Sequence, residues 1–329
     1  MEGRFVISNI TVIVPCYNGE LFIARCIDSL LKQTMAVNII LVNDGSTDNT
    51  EKVAQEYSDK FENIILINKN NQGLPLAKQT GIDYVKNSKY VAFVDCDDWV
   101  ESEMYERMYL AIEREQADIA WCGIYKTYES GDSIPLRRKL AKNTVFSSDE
   151  AMHALHSRMD YYPYLNNKLF RKELFDNIKY KKGNFIGEDY CFQVQLLLRA
   201  KKILSVEGTF YHYWQSVSSM SRGGVRDIHV LSYQYYNELL SEIMVEKPIL
   251  YKDACCYLVV EYMAFVIAMS RNNNYNNNML LEIVDFIRTH IWKFLGNRDI
   301  EVKYKVSALI ICIHYKWLIK LYKFITMSN

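Results

Sequence analysis

The sequence lacks both an excess of charge and any long apolar run. Its 329 residues carry 39 basic and 39 acidic side chains, so the formal net charge is zero. Because half of the residues are also hydrophobic, this composition disfavours disorder and general nucleic-acid binding. No run of about eighteen apolar residues occurs and the N-terminus shows no apolar signal core, so we expect neither a transmembrane helix nor a secretion signal.

Cysteine pairs with redox or metal-binding spacing are also missing. The eight cysteines form no C-x-x-C pair and no zinc-ligand spacing, so we interpret them as reduced thiols in the core or in loops. They are Cys16, Cys26, Cys96, Cys122, Cys191, Cys255, Cys256 and Cys312. Reduced thiols are typical of the cytosol, and we therefore predict a cytoplasmic protein.

What the sequence does contain is an alternation of apolar runs and helical patterns. Apolar runs at 10–15, 37–42, 64–67 and 90–94 are typical of strands buried on both faces, and amphipathic stretches between them predict crossover helices. This alternation predicts an α/β fold with a doubly wound, mostly parallel sheet. In such sheets ligands bind beyond the carboxyl ends of the strands.

Three of these runs end in polar or acidic residues, which places candidate ligands at one edge of the predicted sheet. The segments are Pro15–Asn18, Asn43–Ser46 and Asp95–Asp98. Carboxylates after a buried strand suit Mg²⁺ or Mn²⁺ with phosphate oxygens, although acidic strand ends also occur in plain turns and helix caps. Asp44 indicates a nucleotide, because an acid at this point often binds a ribose or base. The convergence favours metal and nucleotide binding over plain turns.

A second acidic group follows later in the chain. A glycine-containing loop ends in Gly187, Glu188 and Asp189 before an apolar helical stretch, where acids either complement the helix dipole or act in catalysis. The order of the motifs favours catalysis. His212 lies among aromatic residues in a predicted strand and is either a metal ligand or a packed residue. Residues 125–147 lose the alternating pattern and predict an irregular, solvated insertion.

These segments together resemble glycosyltransferase family 2, the inverting, nucleotide-sugar-dependent enzymes of the GT-A fold. The resemblance rests on four motifs in the family's order, which are Val12–Asn18, Val42–Asp48, Asn71–Ala77 and Asp95–Trp99, together with the later Gly187–Asp189. It implies a nucleotide-sugar donor, with a UDP-sugar favoured, and a divalent cation, Mn²⁺ or Mg²⁺. It also implies a glycan or lipid-linked acceptor in bacterial surface polysaccharide synthesis.

The resemblance further implies roles for individual residues. Asp97 would bind the metal that holds the diphosphate, Asp95 would lie beside the ribose and this metal, and His212 would be an additional ligand. Asp189 would be the general base, with Glu188 as its structural or acceptor-binding neighbour. The residues implied to bind the nucleotide-sugar are Pro15, Tyr17, Asn18, Asp44, Gly73, Lys78, Asp95 and Cys96. Those implied to bind the acceptor are Tyr164, Asn167 and Lys168.

The sequence departs from the family pattern after Gly73. The family usually has Ala-Arg-Asn there, whereas this chain has Ala77, Lys78 and Gln79. Lysine can bind a diphosphate as a point charge, but it lacks the planar fork of arginine. We expect Lys78 to contact the diphosphate. Asp98, the last acid of its motif, is expected to cap the helix that follows.

Beyond residue 226 the pattern becomes helical. We predict a GT-A domain over 1–226, with a donor half at about 1–124 and an acceptor half at about 125–226, and a helical C-terminal region over 227–329. Helices are predicted over 230–244, 254–269, 280–294 and 302–324. The last combines apolar residues with Lys305, Lys316, Lys320 and Lys323, which suits an anionic membrane surface or docking on neighbouring helices. The first alternative would make the protein peripheral on the inner face of the cell membrane.

Two other functions remain open at this point. A nucleotidyltransferase could share the architecture and the acidic metal site, but it needs a lysine- and glycine-rich phosphate loop, which Pro15–Gly19 is not. A non-catalytic subunit that binds a nucleotide-sugar or a glycan could retain the fold, although intact Asp97 and Asp189 disfavour it. No nucleic-acid partner is predicted.

Overall fold

The chain is divided into two compact units. A computed structural model describes residues 8–136, 143–157, 161–183, 185–215, 227–270 and 277–327. The first unit, the sheet unit, comprises Met1–Ser148, Pro163–Asn184 and Glu188–Ser218. The second, the helical unit, comprises Asp149–Tyr162, Phe185–Gly187 and Ser219–Asn329. Two short segments upstream of residue 226 therefore belong to the helical unit.

The sheet unit is built around one sheet, to which ten strands of the described residues contribute. The strands are β1 (Ile10–Cys16), β2 (Asn38–Asp44), β3 (Ile64–Lys69), β4 (Tyr90–Phe93), β5 (Trp99–Val100), β6 (Ile119–Tyr128), β7 (Ser133–Pro135), β8 (Val145–Ser147), β9 (Lys168–Arg171) and β10 (Lys202–Gln215). The main path runs in the order β3-β2-β1-β4-β9-β6-β10-β5, while β7 pairs with β6 and β8 with β10. Strands β3, β2, β1 and β4 are parallel neighbours, and β9 is antiparallel to both β4 and β6.

Helices alternate with the strands and then continue alone. They are α1 (Ile23–Leu31), α2 (Thr50–Lys60), α3 (Leu74–Tyr84), α4 (Met104–Glu115), α5 (Ser148–His156), α6 (Glu188–Arg199), α7 (Asp227–Glu246), α8 (Tyr251–Ser270), α9 (Asn277–Gly296) and α10 (Val302–Met327). The predicted α/β class with a parallel central sheet and helices at the C-terminus is confirmed.

The strands at the centre of the sheet are apolar along their whole length because both faces are covered. Every residue of β1 and β2 is buried. Helix α3 packs against both strands, and the contact is close: a Cβ added to Gly81 would lie 2.3 Å from Cγ2 of Ile13. A continuous apolar run, rather than an alternating one, is what such two-sided burial requires.

The prediction for residues 125–147 was wrong. Strand β6 extends to Tyr128, β7 pairs with it in antiparallel register, and β8 pairs with β10. All three residues of β7 are exposed, so they show no alternation of apolar and polar side chains. Residues 137–142 of this segment lie outside the described residues.

The helical unit contains the four helices that the C-terminal pattern predicts. Helix α8 packs against α7, α9 and α10, and its aromatic residues form part of the core. Tyr262 is buried between Tyr233, Phe265 and Phe286, with the ring centroids of Tyr262 and Phe286 5.1 Å apart. Within the described ranges, no helix combines the length and the apolar character needed to cross a membrane.

Candidate active site

The carboxyl ends of β2, β1 and β4 meet at one edge of the sheet, because the three strands are parallel neighbours. The loops after β1 and β2 are joined there by Asn18. Its Oδ1 accepts a hydrogen bond from the Thr47 N–H at 2.8 Å, and its own N–H donates to Oγ of Ser46 at 3.1 Å. Asn18 adopts the left-handed conformation with φ of 50°. Its side chain therefore shapes this edge of the sheet.

Asp44, at the end of β2, holds the loop that leads into α3. Its buried carboxylate accepts hydrogen bonds from Nζ of Lys69 at 2.6 Å and from the Gly73 N–H at 2.7 Å. The Gln72 N–H lies 3.0 and 3.2 Å from the two carboxylate oxygens. Gly73 has φ of 90°, a conformation that favours glycine. Most of the acceptor capacity of Asp44 is thus used within the protein.

Tyr17 is an exposed aromatic residue at the same edge. Pro15 is buried within β1, whereas Tyr17 is 51% exposed two residues later. The chain therefore has an exposed aromatic ring directly after β1, at the carboxyl edge of the sheet. An exposed ring at this point can stack on a planar ligand.

The three acids after β4 have different surroundings. Asp98 is fully buried and accepts hydrogen bonds from the Tyr211 hydroxyl and, at 2.8 Å, from the Trp214 N–H. It does not cap a helix as predicted, since α4 begins at Met104, after Glu103. Asp98 instead anchors β10, on which both of its partners lie.

Asp97 is the acid of this group that has no side-chain partner within the described residues. Nη2 of Arg25 donates to its backbone oxygen at 2.7 Å, and the guanidinium lies 3.9 Å from the ring centroid of Trp99. Burial, followed by the negative charge of Asp95, raises the pKa of Asp97 to about 6. The sequence contained no signal for Arg25, which fixes the backbone of the acid loop.

Asp95 and Asp97 together suit a divalent cation. Burial raises the pKa of both carboxyl groups, and the charge of Asp95 raises that of Asp97 further, so a nearby positive charge would relieve the cost of ionising them. Across the described ranges, no three His, Cys, Asp or Glu side chains converge as a metal cluster. Mg²⁺ commonly uses one or two protein carboxylates and takes its other ligands from phosphate and water. The residues present therefore fit such an ion.

The acid pair at the start of α6 is tied to α3 by Lys78. Nζ of Lys78 donates to Oδ1 of Asp189 at 2.6 Å and lies 3.9 Å from Oε1 of Glu188. The other oxygen of Asp189 accepts a bond from the Leu165 N–H at 3.4 Å. Burial and the charge of Asp189 raise the pKa of Glu188 to about 7. Lys78, which we predicted to contact the diphosphate, thus donates a hydrogen bond to Asp189, the predicted general base.

Consecutive residues of one loop connect this pair with the acid loop. Leu165 donates to Asp189, and Nδ2 of Asn166 donates to Oδ2 of Asp95 at 3.1 Å. Asn166 was not among the predicted site residues, although it lies between residues that were. The loop holds Asp95 and Asp189 in one site.

The family model of glycosyl transferase family 2 matches residues 11–187, more than half of the chain. The chain belongs to glycosyltransferase family 2. The match includes every strand end described above and stops one residue before the acid pair.

Curated relatives of this family 2 chain include two from Bacillus. It is 34% identical over 226 residues to the uncharacterized glycosyltransferase EpsJ of Bacillus subtilis, which covers 66% of this chain and 64% of EpsJ. It is 31% identical over 211 residues to a poly(ribitol-phosphate) beta-glucosyltransferase of Bacillus spizizenii, covering 62% of this chain and 32% of that protein. The chain thus spans less than two thirds of the length of both relatives.

The fold of this family 2 chain is also found in solved structures. The crystal structure of Staphylococcus aureus TarS 1–349 in complex with UDP-GlcNAc superposes with a TM-score of 0.68. The superposition covers 94% of this chain and 92% of TarS 1–349, at 18% sequence identity. At this identity the likeness establishes the GT-A fold.

His212 is not supported as a metal ligand of this family 2 site. Its Nδ1 lies 3.0 Å from Oγ1 of Thr127, and its Nε2 lies 2.8 Å from Oε1 of Glu101. The ring is stacked between Trp99 and Tyr125, with centroid distances of 4.8 and 4.9 Å. Because both nitrogens have protein partners, neither is left to bind a metal.

Two of the three predicted acceptor residues are inaccessible. Asn167 and Lys168 are fully buried, and the Asn167 side chain donates to the carbonyl oxygen of Cys122. Nζ of Lys168 donates to the carbonyl oxygen of Tyr164 and, at 2.8 Å, to Oδ1 of Asn167. Assigning Asn167 and Lys168 to the acceptor was therefore wrong, because their side chains support the loop from inside. Tyr164 is 37% exposed and remains a candidate.

Cys96 lies beside Cys16. Residues 10–13 of β1 pair with the β4 residues 80 positions later, and beyond this paired segment the thiols of Cys16 and Cys96 are hydrogen-bonded neighbours. A Cβ added to Gly19 would lie 2.9 Å from Sγ of Cys96, which leaves little space there. Cys96 thus packs beneath the loop after β1.

Proposed function

We propose that this chain is a metal-dependent, inverting glycosyltransferase that moves a sugar from a UDP-sugar to a glycan or lipid-linked acceptor in surface polysaccharide synthesis. The observation that carries the proposal is the loop of Leu165 and Asn166, which donates one hydrogen bond to Asp189 and one to Asp95. A donor-side acid and a candidate base are thereby held in one site.

On the donor side, Asp97 would hold Mn²⁺ or Mg²⁺, with Asp95 beside it. Such an ion neutralises charge that develops on the departing diphosphate. Arg25 keeps the backbone of Asp97 in place, so the carboxylate is presented from a fixed loop. Preorganised charge of this kind contributes most in the transition state.

The nucleoside would bind at the edge formed by the ends of β1 and β2. Tyr17 supports this assignment because its ring is exposed there. Pro15 and Cys96 would form the floor of the site, and Asn18 and Gly73 would set the shape of its loops. Asp44 already holds the Gly73 loop, so its contact with the base would use the acceptor capacity that this loop leaves free.

On the acceptor side, Asp189 would act as the general base. A hydroxyl oxygen of the acceptor forms a bond to the anomeric carbon while the bond from that carbon to the diphosphate oxygen breaks. The hydroxyl proton moves to the Asp189 carboxylate, and a single in-line displacement inverts the configuration. Glu188, whose pKa is raised to about 7, would lie beside the acceptor, and Tyr164 would contact a sugar face.

The relatives support the choice of donor and acceptor. The TarS complex contains UDP-GlcNAc, and the Bacillus spizizenii relative is named a poly(ribitol-phosphate) beta-glucosyltransferase. We therefore favour a UDP-hexose or UDP-N-acetylhexosamine as the donor and a cell-surface polymer or its lipid-linked precursor as the acceptor.

We further propose that the protein is cytoplasmic and peripheral on the membrane through α10. Val302, Val306, Leu309 and Ile313 form an exposed apolar stripe on this helix, with Ile313 79% exposed. Lys303 and Lys305 lie near the stripe, whereas Lys316, Lys320 and Lys323 lie outside the side chains that the structure describes. Sedimentation with vesicles containing anionic lipid should be lost on Ile313→Glu, and equal sedimentation of both proteins would contradict the proposal.

The catalytic proposal is tested with a panel of UDP-, GDP- and dTDP-sugars. Thermal unfolding is measured with and without Mn²⁺ for each donor, followed by a donor-hydrolysis and transfer assay. A UDP-sugar should raise Tm only when the metal is present, because binding to the folded state alone stabilises it. Absence of both stabilisation and turnover across the whole panel would contradict the proposed function.

A further inference from the structure

Lys78 is a buried ammonium that faces carboxylates. It lies on α3 and its side chain is 3% exposed. Nζ is 2.6 Å from Oδ1 of Asp189 and 3.9 Å from Oε1 of Glu188. Burial alone would lower the pKa of Lys78, but the charges of Asp189, Asp95 and Glu188 outweigh burial and raise it. The ammonium is therefore charged throughout the neutral range.

The surroundings of Asp189 explain why this ammonium matters. Negative groups face Asp189 from two sides: Glu188 on its own helix and Asp95 after β4. Lys168 on β9 also faces it, but burial lowers the pKa of Lys168 to about 7, so its charge is partial at neutral pH. The hydroxyl of Tyr180 also faces Asp189. Among the described residues, Lys78 is thus the fully charged cation in contact with Asp189.

We propose that Lys78 is a positioning residue for the general base, and that it does not bind the donor diphosphate. Its ammonium holds Oδ1 of Asp189 while the Leu165 N–H holds Oδ2, so the carboxylate is fixed in orientation and faces a positive charge. This inference rests on the proposed function of Asp189.

The geometry favours the base over the diphosphate as the partner of Lys78. An ammonium that is almost completely buried presents little surface to a ligand, and its hydrogen bond to Asp189 is short. When one member of a buried ion pair is removed, the other member is left as an uncompensated buried charge. Moving Lys78 to a diphosphate would therefore expose Asp189 to the repulsion of Glu188 and Asp95.

The test compares variants of Lys78 with a matched lysine on the surface. Lys78→Met and Lys78→Gln remove the charge, whereas Lys78→Arg keeps it. Lys179→Met is the control, because Lys179 also lies 2.6 Å from an aspartate, Asp83, but is 67% exposed. For each protein the pH profile of kcat and the affinity for UDP in the presence of Mn²⁺ are measured, the latter by calorimetry.

We expect the neutral variants to lose about 10–100-fold in kcat, a part of what general base catalysis contributes. The acid limb of their pH profiles should move to higher pH, because without the ammonium the base is protonated more readily. Their affinity for UDP should stay within about twofold of the wild type. Lys78→Arg should restore the position of the acid limb, and Lys179→Met should change neither quantity.

The opposite pattern would overturn the inference. If Lys78 binds the diphosphate, the neutral variants would lose about tenfold or more in UDP affinity while the acid limb keeps its position. If one neutral variant does not fold, the other and Lys78→Arg still separate the two patterns.

A measurement without substrate separates this inference from the proposed function. The carboxyl carbons of labelled aspartates are followed by NMR as a function of pH, and the Asp189 signal is assigned by its loss in Asp189→Asn. In Lys78→Met this signal should titrate at higher pH than in the wild type, and unchanged titration would overturn the inference. Absence of turnover in the wild type would instead contradict the proposed function.

Discussion

The hydroxyl of Tyr211 donates a hydrogen bond to the Asp98 carboxylate and accepts one from the Asp95 N–H at 3.3 Å. One buried phenol on β10 therefore fixes both ends of the segment that carries Asp97. The acid loop gains its position from a strand more than a hundred residues away, so the stability of β10 and the position of the candidate metal-binding acids depend on the same contacts.

Tyr211→Phe should destabilise the protein by about 1–3 kcal/mol, because a buried carboxylate then loses a hydrogen-bond donor. Urea unfolding measures this change. Tyr57→Phe is the matched control, since Tyr57 also donates to an aspartate, Asp28, at 2.8 Å, but in a partly exposed position. Its loss should be smaller, and equal losses in the two variants would argue against Asp98 as an anchor.

Gly81→Ala should lower the stability by about 1–3 kcal/mol, which is typical of overpacking. The added methyl group would lie 2.3 Å from Cγ2 of Ile13 in the buried strand β1. Gly296→Ala, at the end of α9, meets no atom within 4 Å and should be neutral or stabilising by up to about 1 kcal/mol. Thermal unfolding distinguishes the two, and a stabilised Gly81→Ala would show that α3 can move away from the sheet.

Asp97→Asn and Asp189→Asn should fail in different ways. The first should lose the UDP affinity that depends on Mn²⁺, since a neutral amide is a poor ligand for a hard cation. The second should keep this affinity and lose about 10²–10⁴-fold in kcat. Asp132→Asn, on an exposed turn, serves as the control. Near-normal turnover of Asp189→Asn would remove it as the base.

Lys168 should make stability depend on pH in the alkaline range. Burial lowers the pKa of Lys168 to about 7 in the folded protein, whereas lysine in an unfolded chain titrates near about 10.4. Below about pH 7 Lys168 is charged in both the folded and the unfolded protein, so the unfavourable burial of its charge lowers the free energy of unfolding in full. Between these values the unfolded chain binds more protons, so the free energy of unfolding rises with pH.

Comparison with Lys168→Met isolates this effect. Urea unfolding at about pH 6.5 and about pH 9.5 should show a larger rise for the wild type than for the variant, because other titrations cancel in the difference. The variant also loses the hydrogen bonds that Nζ of Lys168 donates, which lowers its stability at both pH values, so the comparison rests on the change between the two pH values in each protein. Parallel behaviour of the two proteins would mean that Lys168 stays charged in the fold.

The sequence predicted the central strands and the edge where the acids meet, because these depend on local patterns. An apolar run that is buried on both faces is visible within six or seven residues, as in β1 and β2. Parallel neighbours then place the ends of the strands at one edge without further information. Exposed strands such as β7 carry no comparable pattern.

The roles of several polar residues could not be predicted, because their partners are distant in the sequence. Asn167 binds the carbonyl of Cys122, 45 residues away, and Nε2 of His212 lies beside Glu101, 111 residues away. The sequence does not distinguish a buried amide side chain whose hydrogen bonds are all made within the protein from an exposed one that could bind a ligand. Asp189, the partner of Lys78, is also 111 residues away. The sequence around Lys78 does not show this partner, so the family resemblance alone led to the prediction of a diphosphate contact.

The division into two units limits how this protein can exchange parts with its relatives. The chain passes from one unit to the other after residues 148, 162, 184, 187 and 218. A single recombination point anywhere in this interval would therefore separate segments of the helical unit from one another. Phe185–Gly187, which directly precede the acid pair, belong to the helical unit, whereas Glu188 and Asp189 belong to the sheet unit. An exchange of the whole helical unit would therefore also replace the loop residues next to the proposed base. Chimeras that keep the helical unit whole should accordingly be joined before residue 149.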